Sequence, residues 1–539
     1  MTTTRFDGGG VSCRDLATAA GCVFAATLLF RYLALTGFPN DQFEHLAGAQ
    51  QMLFGEWPTR DFLDPCMPLM YAVSAGAQLL FGRTLFSEAL LDSSMLGVAA
   101  ACTLVGACRV SRSLLVAVAV TILSILIFPR PYAYPRLLMT AVGPLAMWAW
   151  ASKPTVTRLA WLAATTVVAL LFRYDYAAYV GIGALVTLIV TKADGWRPVL
   201  KRVATFGGLL LLLLTPYALF LGGFDALADS LLRFVAYGSR HAARNALRLD
   251  NLGTVYEARL FYGFHAMPIV ALSLLIVDRL RRRTSTDWPL ILPLTVLAMT
   301  ANYFLIGNTL SSRLPDAVVP NMLLFAWLAG RAMLVTPQPA RGAAVSASVL
   351  VFALGADAVT AIGDTTQQID RTGLVASGIQ AIPTLVSSRT AELTARFSPR
   401  QVPDGGIVPL VPFFEYLDRC TTTDHRLFVA GYIPQIFVYA KRMFGGGEKV
   451  FLQGSFASDE DQQFIVDRLT RQAVVFSLSY SDEYEPWLED FPRIAAFVTS
   501  HFTPMTEIAV GQDRTVKVLV NPGVTPVGTD TATGWPCYR

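Results

Sequence analysis

The segment 203–222 has the sequence VATFGGLLLLLLTPYALFLG and contains no charged residue. A helix of this length rises about 1.5 Å per residue and so crosses the roughly 30 Å hydrocarbon core of a bilayer. Comparable apolar runs recur on both sides of it. They cover residues 16–35, 86–108, 113–129, 135–151, 156–172, 176–191, 263–278, 288–307, 315–335 and 342–363. The sequence therefore predicts a polytopic α-helical membrane protein with about eleven transmembrane helices.

The overall composition agrees with this fold class. Of the 539 residues, 53% are hydrophobic and 15% are charged, whereas soluble domains carry about 25% charged residues. These values exclude a single soluble domain, and the apolar content also excludes a disordered chain. The net charge of +4 is not concentrated in a polar Lys/Arg stripe, which argues against a nucleic-acid partner.

The cations in the short connections between the predicted helices indicate the orientation. Every connection assigned to the cytoplasmic side holds at least two cations, as Arg109 with Arg112 and Lys153 with Arg158 illustrate. The short connections on the other side hold fewer cations and no Lys. By the positive-inside rule we expect the N-terminus in the cytoplasm, and an odd number of helices then places the C-terminal region outside.

The chain is expected to divide into three parts. Residues 1–363 form the transmembrane domain, with a long first outer loop at 37–85 and a second at 223–262. The second loop is rich in Arg and aromatic residues, which suits an amphipathic helix on the membrane surface. Residues 364–401 form a linker to a C-terminal region.

The C-terminal region, residues 402–539, alternates two kinds of segment. Short β-rich runs cover residues 427–430, 450–453, 473–478 and 515–520, and helical patterns cover 459–470 and 487–501. This alternation predicts an extracytoplasmic α/β domain.

The seven cysteines include no CxxC pair and no Cys/His metal spacing, so neither a zinc nor a redox site is expected. His45 and His265 are single, and no catalytic metal is predicted. Cys420 and Cys537, both in the C-terminal region, are the pair to test as a disulfide.

The first outer loop carries the residues best suited to chemistry. It contains FPNDQFEH at 38–45 and GEWPTRDF at 55–62. Asp41 lies next to the end of the first predicted helix, where a partly desolvated carboxylate can accept a proton from a hydroxyl group. A structural alternative is helix capping, because Asp41 with Glu44 three residues later resembles a capping box.

This loop resembles the GT-C superfamily of membrane glycosyltransferases, which use polyprenyl-phosphate-linked sugars and include protein O-mannosyltransferases and aminoarabinose transferases. The family pattern has an acidic residue after the first helix, a Gly-x-x-Pro-x-x-Asp-Phe segment, a Pro-rich step and a Phe-Gly end. The matching positions here are Asp41, Gly55 to Phe62, Pro65 with Pro68, and Phe81-Gly82. Many relatives carry an Asp-Glu pair where this sequence has Asp41-Gln42.

The resemblance implies an inverting hexosyl- or pentosyltransferase. It would move a sugar from a polyprenyl-phosphate donor to a hydroxyl group of a lipid, glycan or protein on the extracytoplasmic face. Asp41 would be the general base, and no metal or other cofactor would be needed. The implied location is the inner membrane of a bacterium.

A polyprenyl phosphate leaving group needs positive charge near the membrane surface, and Arg is well suited to phosphate. Candidates at the outer ends of the predicted helices are Arg136, Arg173 and Arg313. The structural alternative is snorkelling to lipid headgroups, or pairing as between Arg173 and Asp175. Acceptor contacts or loop architecture are assigned to Glu44, His45, Asp61 and Asp64.

Two other functions stay open at this point. A flippase or transporter of lipid-linked sugars would ordinarily show repeat symmetry, and the sequence shows no internal repeat. A catalytically silent assembly protein built on the same scaffold is the other alternative.

Overall fold

A computed structural model describes residues 12–64, 66–191, 195–244, 252–281, 287–306, 311–334, 338–397, 407–452, 455–481, 484–510 and 514–539, without the side chains of 237–244 and 484–486. The chain divides into two compact units. The first unit contains Met1–Ala34, Leu90–Phe224 and Ala242–Leu385, and the second contains Leu35–Ala89, Asp225–His241 and Val386–Arg539.

The helices, in chain order, are α1 Cys13–Ala34, α2 Asn40–Leu53, α3 Pro68–Phe81, α4 Leu85–Ser111, α5 Leu114–Leu126, α6 Tyr134–Ser152, α7 Val156–Phe172, α8 Tyr174–Val190, α9 Trp196–Leu221, α10 Phe224–Arg244, α11 Val255–Leu280, α12 Trp288–Ile306, α13 Val318–Leu334, α14 Gln338–Ile362, α15 Thr365–Arg371, α16 Leu374–Ser377, α17 Ile382–Thr394, α18 Val411–Cys420, α19 Gln435–Ala440, α20 Asp459–Arg471, α21 Tyr484–Asp490 and α22 Pro492–His501. The strands are β1 Arg426–Ala430, β2 Val474–Tyr480, β3 Thr503–Ala509, β4 Thr515–Val520, β5 Gly528–Thr529 and β6 Pro536–Cys537.

Long apolar helices dominate the first unit. Within the described residues, seven helical segments are long and apolar enough to cross a membrane: α1, α4, α9, α11, α12, α14, and α13 together with the 3-10 turn before it. Shorter apolar helices include α5, α7 and α8. Each of the eleven predicted apolar segments coincides with a helix. The predicted class, a multi-pass helical membrane protein, is thereby confirmed, while the number of crossings and the N-in orientation stay predictions.

The ends of these helices follow from local side-chain chemistry. Ser113 and Thr155 accept hydrogen bonds from the third N–H of α5 and α7, which satisfies donors that a helix start leaves open. Thr254 and Glu257 form a reciprocal capping box at the start of α11. Gly222, in a left-handed conformation, ends α9.

The second unit contains a mixed four-stranded sheet with the order β1-β2-β4-β3. β1 and β2 are parallel, and β4 is antiparallel to both of its neighbours. Its core includes Phe428, Phe451, Ile465, Trp487 and Phe491. The predicted C-terminal α/β region is therefore present.

Several details differ from the sequence prediction, and the short helices α18 and α19 and strands β5 and β6 were not predicted. The segment predicted as a strand at 450–453 is irregular over residues 450–452, and residue 453 lies outside the described part. The single helix predicted at 487–501 is divided, because Pro492 begins a new helix, α22, after Phe491. Strand β3 was not predicted; it is exposed and contains Pro504, features that weaken a strand pattern.

A disulfide joins Cys420, at the end of α18, to Cys537. The N–H of Tyr538 also donates to the carbonyl oxygen of Cys420 at 2.8 Å. The last residues of the chain are therefore fixed to α18. The predicted linker, 364–401, contains α15, α16 and α17 in its described part, and the predicted domain boundaries stay predictions.

Candidate functional site

Asp41 lies in the first turn of α2, where the helix dipole favours a negative charge. The N-cap residue of α2 is Pro39, and no side chain caps this helix, so the alternative capping-box role of Asp41 is not realised. The hydroxyl of Tyr432 donates a hydrogen bond to Oδ1 of Asp41. The side chain of Gln435 similarly donates to Asn40. Residues 432–435 thus hold the first turn of α2 in place.

One turn further along α2, Glu44 meets a buried lysine. Lys449 has no exposed side-chain surface, and its Nζ lies 3.6 Å from Oε1 of Glu44. The ammonium group also lies 5.6 Å and 5.2 Å from the ring centroids of Phe62 and Tyr71, an arrangement that stabilises a cation. Burial raises the pKa of Glu44, and the Lys449 charge opposes that rise.

Glu448 adds a second buried carboxyl group to this cluster. Its Oε1 accepts hydrogen bonds from the N–H groups of Lys449 and Val450, at 2.8 and 2.9 Å. Its Oε2 has no hydrogen-bond partner among the described residues. Burial raises the pKa of Glu448 to about 7. This side chain can therefore hold or release a proton near neutral pH.

The other predicted residues of the loop have structural partners. Asp64 accepts hydrogen bonds from the N–H of Met67 at 3.0 and 3.1 Å, just before α3. Asp61 accepts from the N–H of Trp57 at 2.9 Å and pairs with Arg60. Both bonds fix the course of the loop.

His45 is buried, and its ring centroid lies 6.2 Å from that of Tyr71. Burial raises the pKa of Asp64, and Lys449 opposes the rise. Asp41 and Asp64 in turn raise the pKa of Glu44. We call Asp41, Glu44, Asp64 and Glu448 the acidic cluster of the second unit; Lys449 acts on the last three of them, and Asp41 acts on Glu44.

Gln42, which departs from the family's Asp-Glu pair, is completely buried. Its Nε2 donates to Oε1 of Glu88, and Ser74 donates to the other oxygen of Glu88 at 2.5 Å. A glutamate at position 42 would place two carboxylates in contact, which disfavours ionisation of both. The amide of Gln42 thus donates a hydrogen bond to Glu88 without adding a second negative charge.

Three predicted arginines gather in the first unit. Arg136 is buried and donates to Asp316 at 2.8 Å and to Asp175 at 3.5 Å. Arg173 binds both oxygens of Asp175, at 2.8 and 3.0 Å. Arg313 lies 3.9 Å from Asp316. The pairing of Arg173 with Asp175, given above as a structural alternative, is therefore present, and it is part of a larger group of arginines and carboxylates.

Aromatic rings cover the same arginines. The guanidinium carbon of Arg136 lies 3.9 Å from the ring centroid of Phe304 and 5.1 Å from that of Tyr176. Arg173 lies 5.3 Å from the centroid of Tyr176. The Tyr132 hydroxyl accepts from Arg130 and, at 3.5 Å, from Arg313. We call Arg130, Arg136, Arg173 and Arg313 the arginine cluster.

Three guanidinium groups of the arginine cluster share two carboxylates. The guanidinium groups of Arg136, Arg173 and Arg313 contact Asp175 and Asp316. The Nε of Arg136 has no hydrogen-bond partner among the described residues. An arrangement of this kind is suited to an anion with several oxygens, such as a phosphate.

Several residues of these clusters were not predicted from the sequence. Tyr432, Glu448 and Lys449 follow Asp41 by about 390 residues or more, and no local motif surrounds them. Asp316 could have been predicted from the sequence, because an ionisable residue at the end of an apolar segment is a functional candidate. The predicted site residues thus form two sets: Asp41, Glu44, His45, Asp61 and Asp64 in the second unit, and Arg136, Arg173 and Arg313 in the first.

One group of potential metal ligands occurs in the described residues: Cys420, Asp530 and Cys537. The two cysteines are joined in the disulfide, and Asp530 binds Arg419 through both oxygens at 3.0 Å. Their donor atoms are therefore already used within the protein.

The chain is thus a multi-pass membrane protein with an acidic cluster after its first long helix and an arginine cluster at the ends of its apolar helices. Among solved structures it is similar to ArnT from Cupriavidus metallidurans bound to undecaprenyl phosphate, with 13% identity, 93% of this chain and 97% of that chain covered, and a TM-score of 0.49. It is also similar to the apo state of the same protein, with 15% identity, coverage of 93% and 98%, and a TM-score of 0.49. No family model and no curated protein matches the chain.

Proposed function

We propose that the chain is an inverting glycosyltransferase that moves a sugar from a polyprenyl-phosphate donor to a hydroxyl acceptor. The observation that carries this proposal is the arginine cluster, in which the guanidinium groups of Arg136, Arg173 and Arg313 contact two carboxylates. An arginine-rich site at the ends of apolar helices favours a ligand that combines an anionic phosphate with a long apolar chain. Polyprenyl phosphate has both features, and undecaprenyl phosphate is the lipid in the ArnT structure.

Arg136, Arg173 and Arg313 are assigned to the donor phosphate. In an inverting displacement, the acceptor oxygen attacks the anomeric carbon while the bond from that carbon to the phosphate oxygen breaks. The electron pair of the broken bond leaves with the polyprenyl phosphate, whose negative charge increases. Preformed guanidinium donors stabilise that charge without rearrangement.

Asp41 is assigned as the general base, which takes the proton of the attacking hydroxyl group. The hydrogen bond from Tyr432 orients its carboxylate, and a well-positioned base of this kind contributes about 10² to 10⁴ in rate. The ion pair between Glu44 and Lys449 would hold the next turn of α2 in place, and with it the position of Asp41. Asp61 and Asp64 are assigned to loop architecture, since both bind backbone N–H groups within the loop.

The active site and the C-terminal region are assigned to the outer face of a bacterial inner membrane, with the N-terminus in the cytoplasm. The cation asymmetry of the short connections supports this orientation. The acceptor is a hydroxyl group of a lipid, glycan or protein, and the proposal includes no metal and no nucleic acid.

Mass spectrometry of envelope lipids and glycans, with and without the chain, tests the proposed function. Cells lacking the protein should lose one sugar modification and accumulate the matching lipid-linked sugar on the outer leaflet. Expression of the wild-type chain should restore the modification. Accumulation of that lipid on the inner leaflet would instead favour a flippase, and unchanged lipids and glycans would contradict both functions.

A further inference from the structure

A cavity that opens to solvent lies in the second unit, and no residue of the acidic cluster lines it. Its lining comes from α2, from the end of α3 and the turn into α4, from the end of α17 and the residues after it, and from the end of α19 with Lys441. The charged side chains that line it are Arg83, Arg396 and Lys441, and all three are cationic. This cavity is called the cationic cavity below.

The positive charge of the cationic cavity is only partly neutralised. Asp418 pairs with Arg396, and it lies 3.8 Å from Arg442 as well. Burial and the charges of Arg396 and Arg83 lower the pKa of Lys441, and Asp418 opposes this effect. One carboxylate thus serves a group of four cations, so the cavity favours an anion.

Two hydrogen-bond donors in the same cavity support an anionic ligand independently of the charges. Gln78 is only 7% exposed, and its Nε2 has no hydrogen-bond partner among the described residues. The buried Oγ1 of Thr84 likewise has none. A buried donor without an acceptor is costly to a fold, and oxygens of one ligand would satisfy both groups.

The surface next to the cationic cavity is apolar. Leu79, Leu80 and Phe81, at the end of α3, are 72%, 78% and 50% exposed, and Arg83 follows two residues later. Exposed apolar side chains beside cations suit an amphiphilic anion, because the two parts of such a molecule need different surroundings.

We propose that the cationic cavity is a phosphate-binding site, which takes a phosphate group carried by a membrane lipid or free in solution. The site uses none of the residues assigned to sugar transfer and does not depend on that assignment. Arg83, Arg396 and Lys441 would neutralise the phosphate, while Gln78 and Thr84 would donate hydrogen bonds to its oxygens.

The test is isothermal titration calorimetry on the full-length protein in phosphatidylcholine nanodiscs. Inorganic phosphate and dihexanoyl phosphatidic acid are the two anionic probes, and dihexanoyl phosphatidylcholine is the uncharged reference. Phosphatidic acid should bind, and the double variant Arg83→Gln/Lys441→Gln should bind it at least about tenfold more weakly. Gln78→Leu, which keeps every charge, should also weaken it about tenfold. The matched control Arg471→Gln/Arg514→Gln, which removes two cations elsewhere in the second unit, should bind as the wild type does.

The two probes distinguish the sources of the phosphate. Variant-sensitive binding of phosphatidic acid alone identifies a lipid headgroup, and equal variant-sensitive binding of inorganic phosphate identifies a phosphate site open to solution. Binding to neither probe, or binding that the double variant and Gln78→Leu both leave unchanged, would overturn the proposal.

Discussion

Glu448 shows how the environment of one residue changes its chemistry. Its carboxyl group is almost completely buried, one oxygen has no hydrogen-bond partner among the described residues, and its pKa is raised to about 7 from 4.5. Between these two pH values the folded protein keeps a proton that the unfolded chain has released. The contribution of Glu448 to the free energy of unfolding must therefore fall as the pH rises from about 4.5 to about 7.

The variant Glu448→Gln should remove this pH dependence. The contribution is about 3 kcal/mol, because each pKa unit corresponds to about 1.4 kcal/mol. The amide oxygen of glutamine can still accept from the N–H groups of Lys449 and Val450. Thermal unfolding in detergent across this pH range should show the variant gaining stability relative to the wild type as the pH rises. Parallel profiles for the two proteins would contradict the buried, protonated carboxyl group.

Asp41 could be found from the sequence, whereas its partners could not. Its position after an apolar run and within a recognisable loop pattern is local information. Tyr432 and Lys449 reach α2 only through the folded second unit, and their neighbours in the sequence carry no motif. The sequence suggested that Asp41 caps a helix, but Pro39 fills that position.

At the scale of elements, the apolar runs predicted helices well. Hydrocarbon offers no hydrogen-bond partners, so a single apolar segment must pair its own backbone groups, and a helix does this. The C-terminal region was harder to predict, since water and side chains can satisfy its backbone in several ways. For example, the helix predicted at 487–501 is divided, because Pro492 begins a new helix. The exposed strand β3 depends on its pairing with β4, which no pattern within Thr503–Ala509 reveals.

Close packing of α13 against the end of α4 depends on Gly330. A Cβ atom at this position would lie 2.3 Å from the carbonyl oxygen of Ser111, so an alanine requires backbone movement. Gly330→Ala should lower the midpoint of thermal unfolding, at a cost of about 1–3 kcal/mol. In the matched control Gly342→Ala, in α14, the new Cβ meets no atom within 4 Å, and stability should be unchanged or slightly higher. Equal midpoints for wild type and Gly330→Ala would show that the helices are not in contact there.

At the scale of the whole molecule, the low charge content identified the membrane class, and the position of the remaining charges suggested where function lies. The arginines at the helix ends do gather in the first unit. The sequence could not show that they share Asp175 and Asp316, because those contacts join residues as much as 180 positions apart.

The proposed orientation has a direct test in the disulfide between Cys420 and Cys537. A membrane-impermeant phosphine reductant, added to intact spheroplasts, should reduce this bond, because the C-terminal region is assigned to the outer face. After removal of the reductant and denaturation, maleimide labelling should detect both new thiols. Reduction that occurs only after the membrane is permeabilised would contradict the orientation.

The measurement that tests the central claim most directly is sugar transfer by the purified, reconstituted protein. The donor is the polyprenyl-phosphate sugar that mass spectrometry identifies, and the compared proteins are wild type, Asp41→Asn and the loop control Asp61→Asn. We expect the wild type to transfer sugar, Asp61→Asn to retain most of the rate, and Asp41→Asn to lose about 10² to 10⁴ in kcat while remaining folded. Transfer by Asp41→Asn at the wild-type rate would contradict the account.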